Sequence, residues 1–310
     1  MPLLFAVELR KEEKTLQFDT SPVQGEDDLL FFIYKKRGKI MKETLSVGMI
    51  GGGQMGEALI RGMIESGLTK AENITVAEPM AGRREYLEST YQVNAVATPA
   101  ELTEKSSVII LAIKPQIMEP VLRQYSAHLT DDHLLISIVA GIPLSCIEQM
   151  VSGNMRIIRV MPNTPALVLA GASAMSGNEN IRQEDMEIAQ QIFASVGTCI
   201  EVPENLLDAV TGLSGSGPGY VFTFLEALVD GGVLAGLPRP IAEQLALQTL
   251  YGSAKLAMET GEPAAVLKGK VTSPGGTTIT GIQVLEEGCL RGTVMTAVEA
   301  AMERSRALGQ

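Results

Sequence analysis

Two glycine-bearing segments, one near each end of the chain, hold the residue types from which a binding chemistry can be read. The first is Gly51, Gly52, Gly53, Gln54, Met55 and Gly56, which follows directly on the apolar run Ser46 to Ile50. In the order strand, GxGxxG, helix, Gly51 permits the tight turn and Gly53 lets the backbone approach a pyrophosphate. Gly56 then allows the helix to pack closely on the strand, with its N-terminus facing the phosphates. A mere glycine-rich turn uses the same residues, but a second strand ending at Glu78 supports the dinucleotide reading. The second segment is Val271, Thr272, Ser273, Pro274, Gly275, Gly276, Thr277 and Thr278, ahead of a helical pattern. Unpaired amides, the positive end of a helix dipole and nearby hydroxyls make a seat for a small carboxylate. Ser and Thr also serve as plain helix caps, although two adjacent glycines between Ser273 and Thr277 exceed what a cap requires.

Other polar residues refine this picture. Glu78 stands where an acidic side chain bonds the ribose hydroxyls of NAD and repels a 2′-phosphate. Arg83 and Arg84 follow it and offer a phosphate partner instead, or a solvated helix face. The residues therefore lean toward NADH and leave NADPH open. Ala112, Ile113, Lys114 and Pro115 end one apolar run, and Ile138, Val139, Ala140 and Gly141 end another. Both ends face the same crevice if the sheet is open and parallel, because ligands there bind beyond the carboxyl ends of the strands. Lys114 reads as positional rather than catalytic.

The elements needed to position these groups follow from the apolar pattern. SVGMI, ITVAE, VIILAI, LLISIVA and RIIRVM are short apolar runs without two-residue alternation, as expected of parallel strands covered on both faces. Helices are predicted from the glycine loop through Gly67, from about Gly82 to Tyr91, and from Arg182 to Ser195. GASAMSG and TCIEV supply two further strands. After Glu204 strands cease, and helices are predicted over 206–234, 240–258 and from Thr277 to the end. These helices are rich in Ala, Leu, Met and Val, so they are expected to bury more than one face and to pack against another subunit. The expected architecture is a doubly wound α/β domain over 45–203, then an all-α domain over 204–310.

Residues 1–44 fit neither part. The run Leu29 to Tyr34 has six apolar residues, well short of the roughly 20 that cross a bilayer. Met41 stands shortly before the first strand, so a disordered leader or start-site artefact is expected there. Over the whole chain 25 basic residues face 36 acidic ones, and the net charge of -11 repels phosphate backbones. With no Lys/Arg cluster beyond Lys35 to Lys39, nucleic acid is not an expected partner. Cys146, Cys199 and Cys289 are odd in number and lack CxxC spacing, so they read as buried apolar thiols in a reducing cytosol. No metal site is expected, and His128 and His133 read as surface residues in a linker between a helix and a strand.

From Ser46 onward the chain resembles the pyrroline-5-carboxylate reductase family. The resemblance rests on GGGQMG, AIKP at 112–115, RVMPNTP at 159–165, DAVTGLSGSGP at 208–218, and VTSPGGTT followed by ITGIQVLE. It implies an N-terminal Rossmann domain, a helical domain that interlocks with a partner subunit, and a cytoplasmic enzyme that makes L-proline with NADPH or NADH. Carried over, the cofactor contacts are Ile50, Gly51, Gly52, Gly53, Gln54 and Met55, then Glu78, Ala112 to Pro115, and Ile138 to Ala140. The substrate contacts are Ser273, Gly276, Thr277 and Thr278, with Glu204 a weaker candidate and Thr278 the residue beside the reacting ring.

Three features depart from the family pattern: Glu78 replaces a small polar residue, Gly219 stands where Ala is usual, and the leader has no counterpart. Two rival readings exist. β-Hydroxyacid dehydrogenases share a GxGxMG-like start and a helical second domain but use a lysine there, and Tyr220 to Leu234 holds none. A noncatalytic dinucleotide-binding paralogue would keep GGGQMG without needing the carboxylate loop.

Overall fold

The structure, a computed structural model, describes residues 45–309 together with a short ladder nearer the start. The chain divides into two units, Met1–Thr44 and Leu45–Gln310. In the first, Ala6–Val7 pairs antiparallel with Phe18–Asp19. The expectation of a disordered leader or start-site artefact otherwise lies outside the described residues.

The second unit is built on an eight-stranded sheet. Its strands are β1 (Val47–Ile50), β2 (Ile74–Ala77), β3 (Asn94–Val96), β4 (Val108–Leu111), β5 (Leu134–Ser137), β6 (Arg156–Met161), β7 (Gly171–Gly177) and β8 (Gly197–Glu201). Their spatial order is β8-β7-β6-β5-β4-β1-β2-β3. The first six run parallel; β7 turns back antiparallel to β6, and β8 runs parallel to β7.

Continuous apolar strands are explained by the two cores they feed. Val108 and Ile110 of β4 enter one core with Leu59, Ile60 and Phe193, whereas Ile109 and Leu111 enter the other with Leu122, Leu144 and Ile147. Alternate side chains thus leave opposite faces, and both faces are covered by helices. One layer holds α1 (Gln54–Glu65), α2 (Ala81–Tyr91) and, later in the chain, α6 (Gln183–Ala194). The other holds α3 (Pro99–Glu104), α4 (Met118–Ser126) and α5 (Leu144–Met150). Strand β3 and helices α3, α5 and, further on, Ala264–Lys270 are additions to the elements expected from sequence, for three to seven residues are too few to register a period.

Beyond Glu204 the unit is helical: α7 (Leu207–Val210), α8 (Gly217–Leu234), α9 (Arg239–Thr260), α10 (Ala264–Lys270), α11 (Thr277–Glu287) and α12 (Leu290–Leu308). The helix expected over 206–234 is interrupted by a π turn, Thr211–Gly215. There the backbone of α12 comes so close that a Cβ on Gly212 would lie 2.5 Å from the Val298 carbonyl oxygen. The helix expected from Thr277 to the end is also two helices, broken where Cys289 turns left-handed at φ 55°.

Helices α8 and α9 bury only Val229, Ala242 and Ala246 between them, with Leu225 and Val233 alongside. Large apolar side chains remain outside, among them Leu234 at 90%, Met258 at 79% and Met295 at 72% exposed. A monomer rarely leaves so many in the open. The cysteines also divide: Cys199 is buried, and burial pushes its thiol up to about 12, but Cys146 is partly exposed and Cys289 exposed. The expectation of three buried thiols therefore holds for Cys199 alone, since Cys146 lies on α5 and Cys289 at the break between α11 and α12.

Candidate active site

At the carboxyl edge of the sheet three chain segments lie side by side. The Gly51 amide donates to the Ala77 carbonyl at 2.9 Å, the Ala112 amide to Ile50 at 2.9 Å, and the Ile138 amide to Leu111 at 3.1 Å. Residues expected at the cofactor site from three separate stretches are thereby brought to one edge, beside the point where the sheet order reverses between β1 and β4.

Each glycine of the loop has a separate reason to lack a side chain. Gly51 adopts φ +99°, and a Cβ there would meet the Ala112 carbonyl oxygen at 2.5 Å. A Cβ on Gly56 would meet the Gly51 carbonyl oxygen at 2.6 Å, so helix and strand could not close. Gly53 caps α1 without any side-chain cap bond, is exposed, and has nothing within 4 Å of its Cβ direction. The first-turn amides of α1 therefore face open space that an anion can fill. These residues fit a dinucleotide pyrophosphate.

Glu78 closes the far side of the loop. Its Oε2 accepts the Gly52 amide and its Oε1 accepts the Met80 amide, each at 3.0 Å. Arg83 donates through Nε to the Gly52 carbonyl at 2.6 Å, pairs through Nη2 with Glu57, and stacks 4.9 Å from the Tyr86 ring centroid. Burial pushes the Glu57 carboxyl up, yet hydrogen bonds from Arg83, Tyr91 and Tyr86 outweigh it and hold the group below the usual carboxylate value. Burial, and then the bond to Glu57, push the Tyr91 hydroxyl up to about 12. Arg83 is thus not the solvated helix-face residue that its sequence position allowed. Lys114 is exposed where the chain leaves β4, Ile138 and Ala140 are partly buried, and Val139 is buried.

The second segment forms a turn in which the Gly276 amide donates to the Ser273 carbonyl at 3.0 Å. Gly276 caps α11, and its carbonyl accepts Thr280 Oγ1 at 3.1 Å. Ser273, Thr277 and Thr278 are exposed, and among the described residues no hydrogen bond engages their hydroxyls or ties them to the glycine loop. Glu204 is placed elsewhere. Its Oε1 accepts the Leu144 amide at 2.6 Å and lies 3.4 Å from Arg159 Nη1. Arg159, a buried cation on β6, also lies 3.7 Å from Asp208, which accepts Ser305 Oγ at 2.7 Å.

Residues 204–308 match the family model described as "Pyrroline-5-carboxylate reductase dimerisation", and residues 46–141 match "NADP oxidoreductase coenzyme F420-dependent". A Synechocystis sp. pyrroline-5-carboxylate reductase is 48% identical over 86% of this chain and 99% of its own length. The chain belongs to the pyrroline-5-carboxylate reductase family. The Arabidopsis thaliana relative is 45% identical over 87% of this chain and 98% of its own. Among solved structures, the Plasmodium falciparum pyrroline carboxylate reductase with NADP bound superposes with a TM-score of 0.79. It is 37% identical, covering 87% of this chain and all of that one.

Within this family fold, sequence reasoning overlooked Arg159 and Glu57. The signal for the first was an arginine inside an otherwise apolar strand, which demands acidic partners once buried. Glu57 offered only its place in the first turn of α1. The histidines lie on the linker between α4 and β5, at the amino end of β5 and away from the crevice, with His133 Nδ1 bonded to the Thr130 amide at 3.0 Å.

Proposed function

We propose that this chain reduces Δ1-pyrroline-5-carboxylate to L-proline with NADPH or NADH, as the last step of proline biosynthesis in the cytoplasm. The observation that carries the reading is the pairing, in one chain of this family, of a fitted dinucleotide edge with a helix N-terminus rich in free donors. The substrate is a cyclic imine bearing a carboxylate. Its reduction needs a hydride at the C=N carbon, supplied by the bound reduced nicotinamide, and a proton at nitrogen.

The residues at the start of α11 suit the rest of the task. The first-turn amides of Thr277 and Thr278, with the Ser273 hydroxyl, hold the carboxylate at the positive end of the helix. The Thr278 hydroxyl, directly or through water, hydrogen-bonds the ring nitrogen, donating to the neutral imine or accepting a hydrogen bond from the N–H of the protonated one. A hydroxyl is a weak acid, so its contribution is chiefly orientation, which can supply much of an acceleration by itself. The Thr278→Ala variant is expected to lose at least about tenfold in kcat/KM, roughly 1.4 kcal/mol of transition-state stabilisation. Unchanged kinetics would remove Thr278 from the site.

The exposed apolar faces of α8 to α12 support a homodimer or larger homo-oligomer, in which a neighbouring copy covers them and brings one segment of the site to the other. No helix among the described residues is long and apolar enough to cross a membrane. The test of function is loss of reduced-nicotinamide absorbance with pyrroline-5-carboxylate. Turnover of a 3-hydroxy acid with oxidised cofactor, or of neither substrate, would replace this reading by a hydroxyacid dehydrogenase or a noncatalytic binder.

A further inference from the structure

We propose that this chain selects NADH over NADPH, with Glu78 as the selecting residue and with Glu57 withholding Arg83 from any 2′-phosphate. This deepens the proposed function and rests on its dinucleotide reading.

Family membership leaves the choice open, since the Plasmodium falciparum relative was solved with NADP. The geometry decides it by immobilising one charge and occupying another. Glu78 follows the last residue of β2, where the adenosine ribose of a dinucleotide lies in this fold class. Both its oxygens accept backbone amides, from Gly52 and Met80, each at 3.0 Å. A carboxylate anchored twice to the main chain cannot swing aside for a second anion. Its remaining lone pairs accept ribose hydroxyls, whereas a 2′-phosphate would meet a fixed like charge.

Relief would have to come from the two nearby arginines. Arg83 has Nε on the Gly52 carbonyl and Nη2 on Glu57, while Glu57 also accepts Tyr86 at 2.9 Å and Tyr91 at 2.8 Å. Its charge is neutralised, and its plane is held over Tyr86. Arg84 lacks an acidic partner among the described residues, and its Nη1 donates to the carbonyls of Glu78 at 2.7 Å and Pro79 at 2.9 Å. It serves a phosphate only after the Glu78 charge is gone. The Gly52 position adds rigidity, since a Cβ there would lie 2.6 Å from Leu87 Cδ1 and 3.3 Å from Glu78 Oε2.

Calorimetric titration of the full chain with ADP-ribose and with 2′-phospho-ADP-ribose tests this without any turnover. The phosphorylated fragment should bind at least about 30-fold more weakly, as a like-charge contact demands. In Glu78→Ser the gap should shrink below about threefold through tighter binding of the phosphorylated fragment, and adding Arg84→Ala should remove that gain. Equal or tighter binding of 2′-phospho-ADP-ribose to the unmodified chain overturns the proposal, however the variants fold. Selective binding of ADP-ribose with no turnover of pyrroline-5-carboxylate would sustain the cofactor choice while sinking the proposed reaction. Failure of both fragments to bind would sink both.

Discussion

Replacing Gly51 by valine should abolish dinucleotide binding and lower the unfolding free energy by about 3–5 kcal/mol, adding backbone strain to an overpacked contact. The backbone at φ +99° is unfavourable for any L side chain, and a Cβ would collide with the Ala112 carbonyl, which the neighbouring strand cannot withdraw. Gly53→Ala makes the informative contrast. Its Cβ enters open space, so thermal unfolding should move by less than about 0.5 kcal/mol, within the range of harmless surface substitutions. Cofactor affinity should nonetheless fall, because that methyl group projects where a pyrophosphate approaches the backbone. Melting curves paired with NADH fluorescence titrations separate the two. Equal loss of stability in both variants would show that Gly53 shapes the loop rather than leaving room for a ligand.

Arg159→Met should destabilise the chain by about 2–3 kcal/mol, somewhat below the loss usual for one partner of a fully buried ion pair. The discount follows from the partial exposure of Glu204 and Asp208, at 33% and 22% of their side chains against 7% for Arg159. Without the guanidinium, two partly buried carboxylates face an apolar strand, with the Leu144 amide and the Ser305 hydroxyl as their remaining protein donors among the described residues. A second substitution, Glu204→Gln, should recover part of the loss in the Arg159→Met background and should be unfavourable alone. Denaturant melts of the four chains give that coupling; strict additivity would mean that Arg159 and Glu204 do not act as a pair.

The doubly wound half was legible because its code is local. Strand cores, the glycine loop and the strand ends Ala112 to Pro115 and Ile138 to Ala140 follow from apolar runs and turn residues. Three-residue β3 and the π turn at Thr211–Gly215 were not legible, since neither generates a period, and the turn answers to a helix distant in sequence. Long-range ionic contacts escaped for the same reason. The contact between Arg159 and Glu204 joins residues that no pattern relates, although an arginine within RIIRV announced that some acid must meet it. The SPGGTT segment was readable as a helix start with donors to offer, and the roles of its hydroxyls stand as a proposal.

The thin core between α8 and α9 bears on how the protein must be handled. Three buried residues cannot offset the conformational entropy of ordering two helices of 18 and 22 residues, at roughly 1–2 kcal/mol per residue. The neighbouring copy proposed above supplies the missing contacts, and its hold obeys mass action. The melting temperature of this half should climb with protein concentration, and dilution alone should loosen it before the sheet is disturbed.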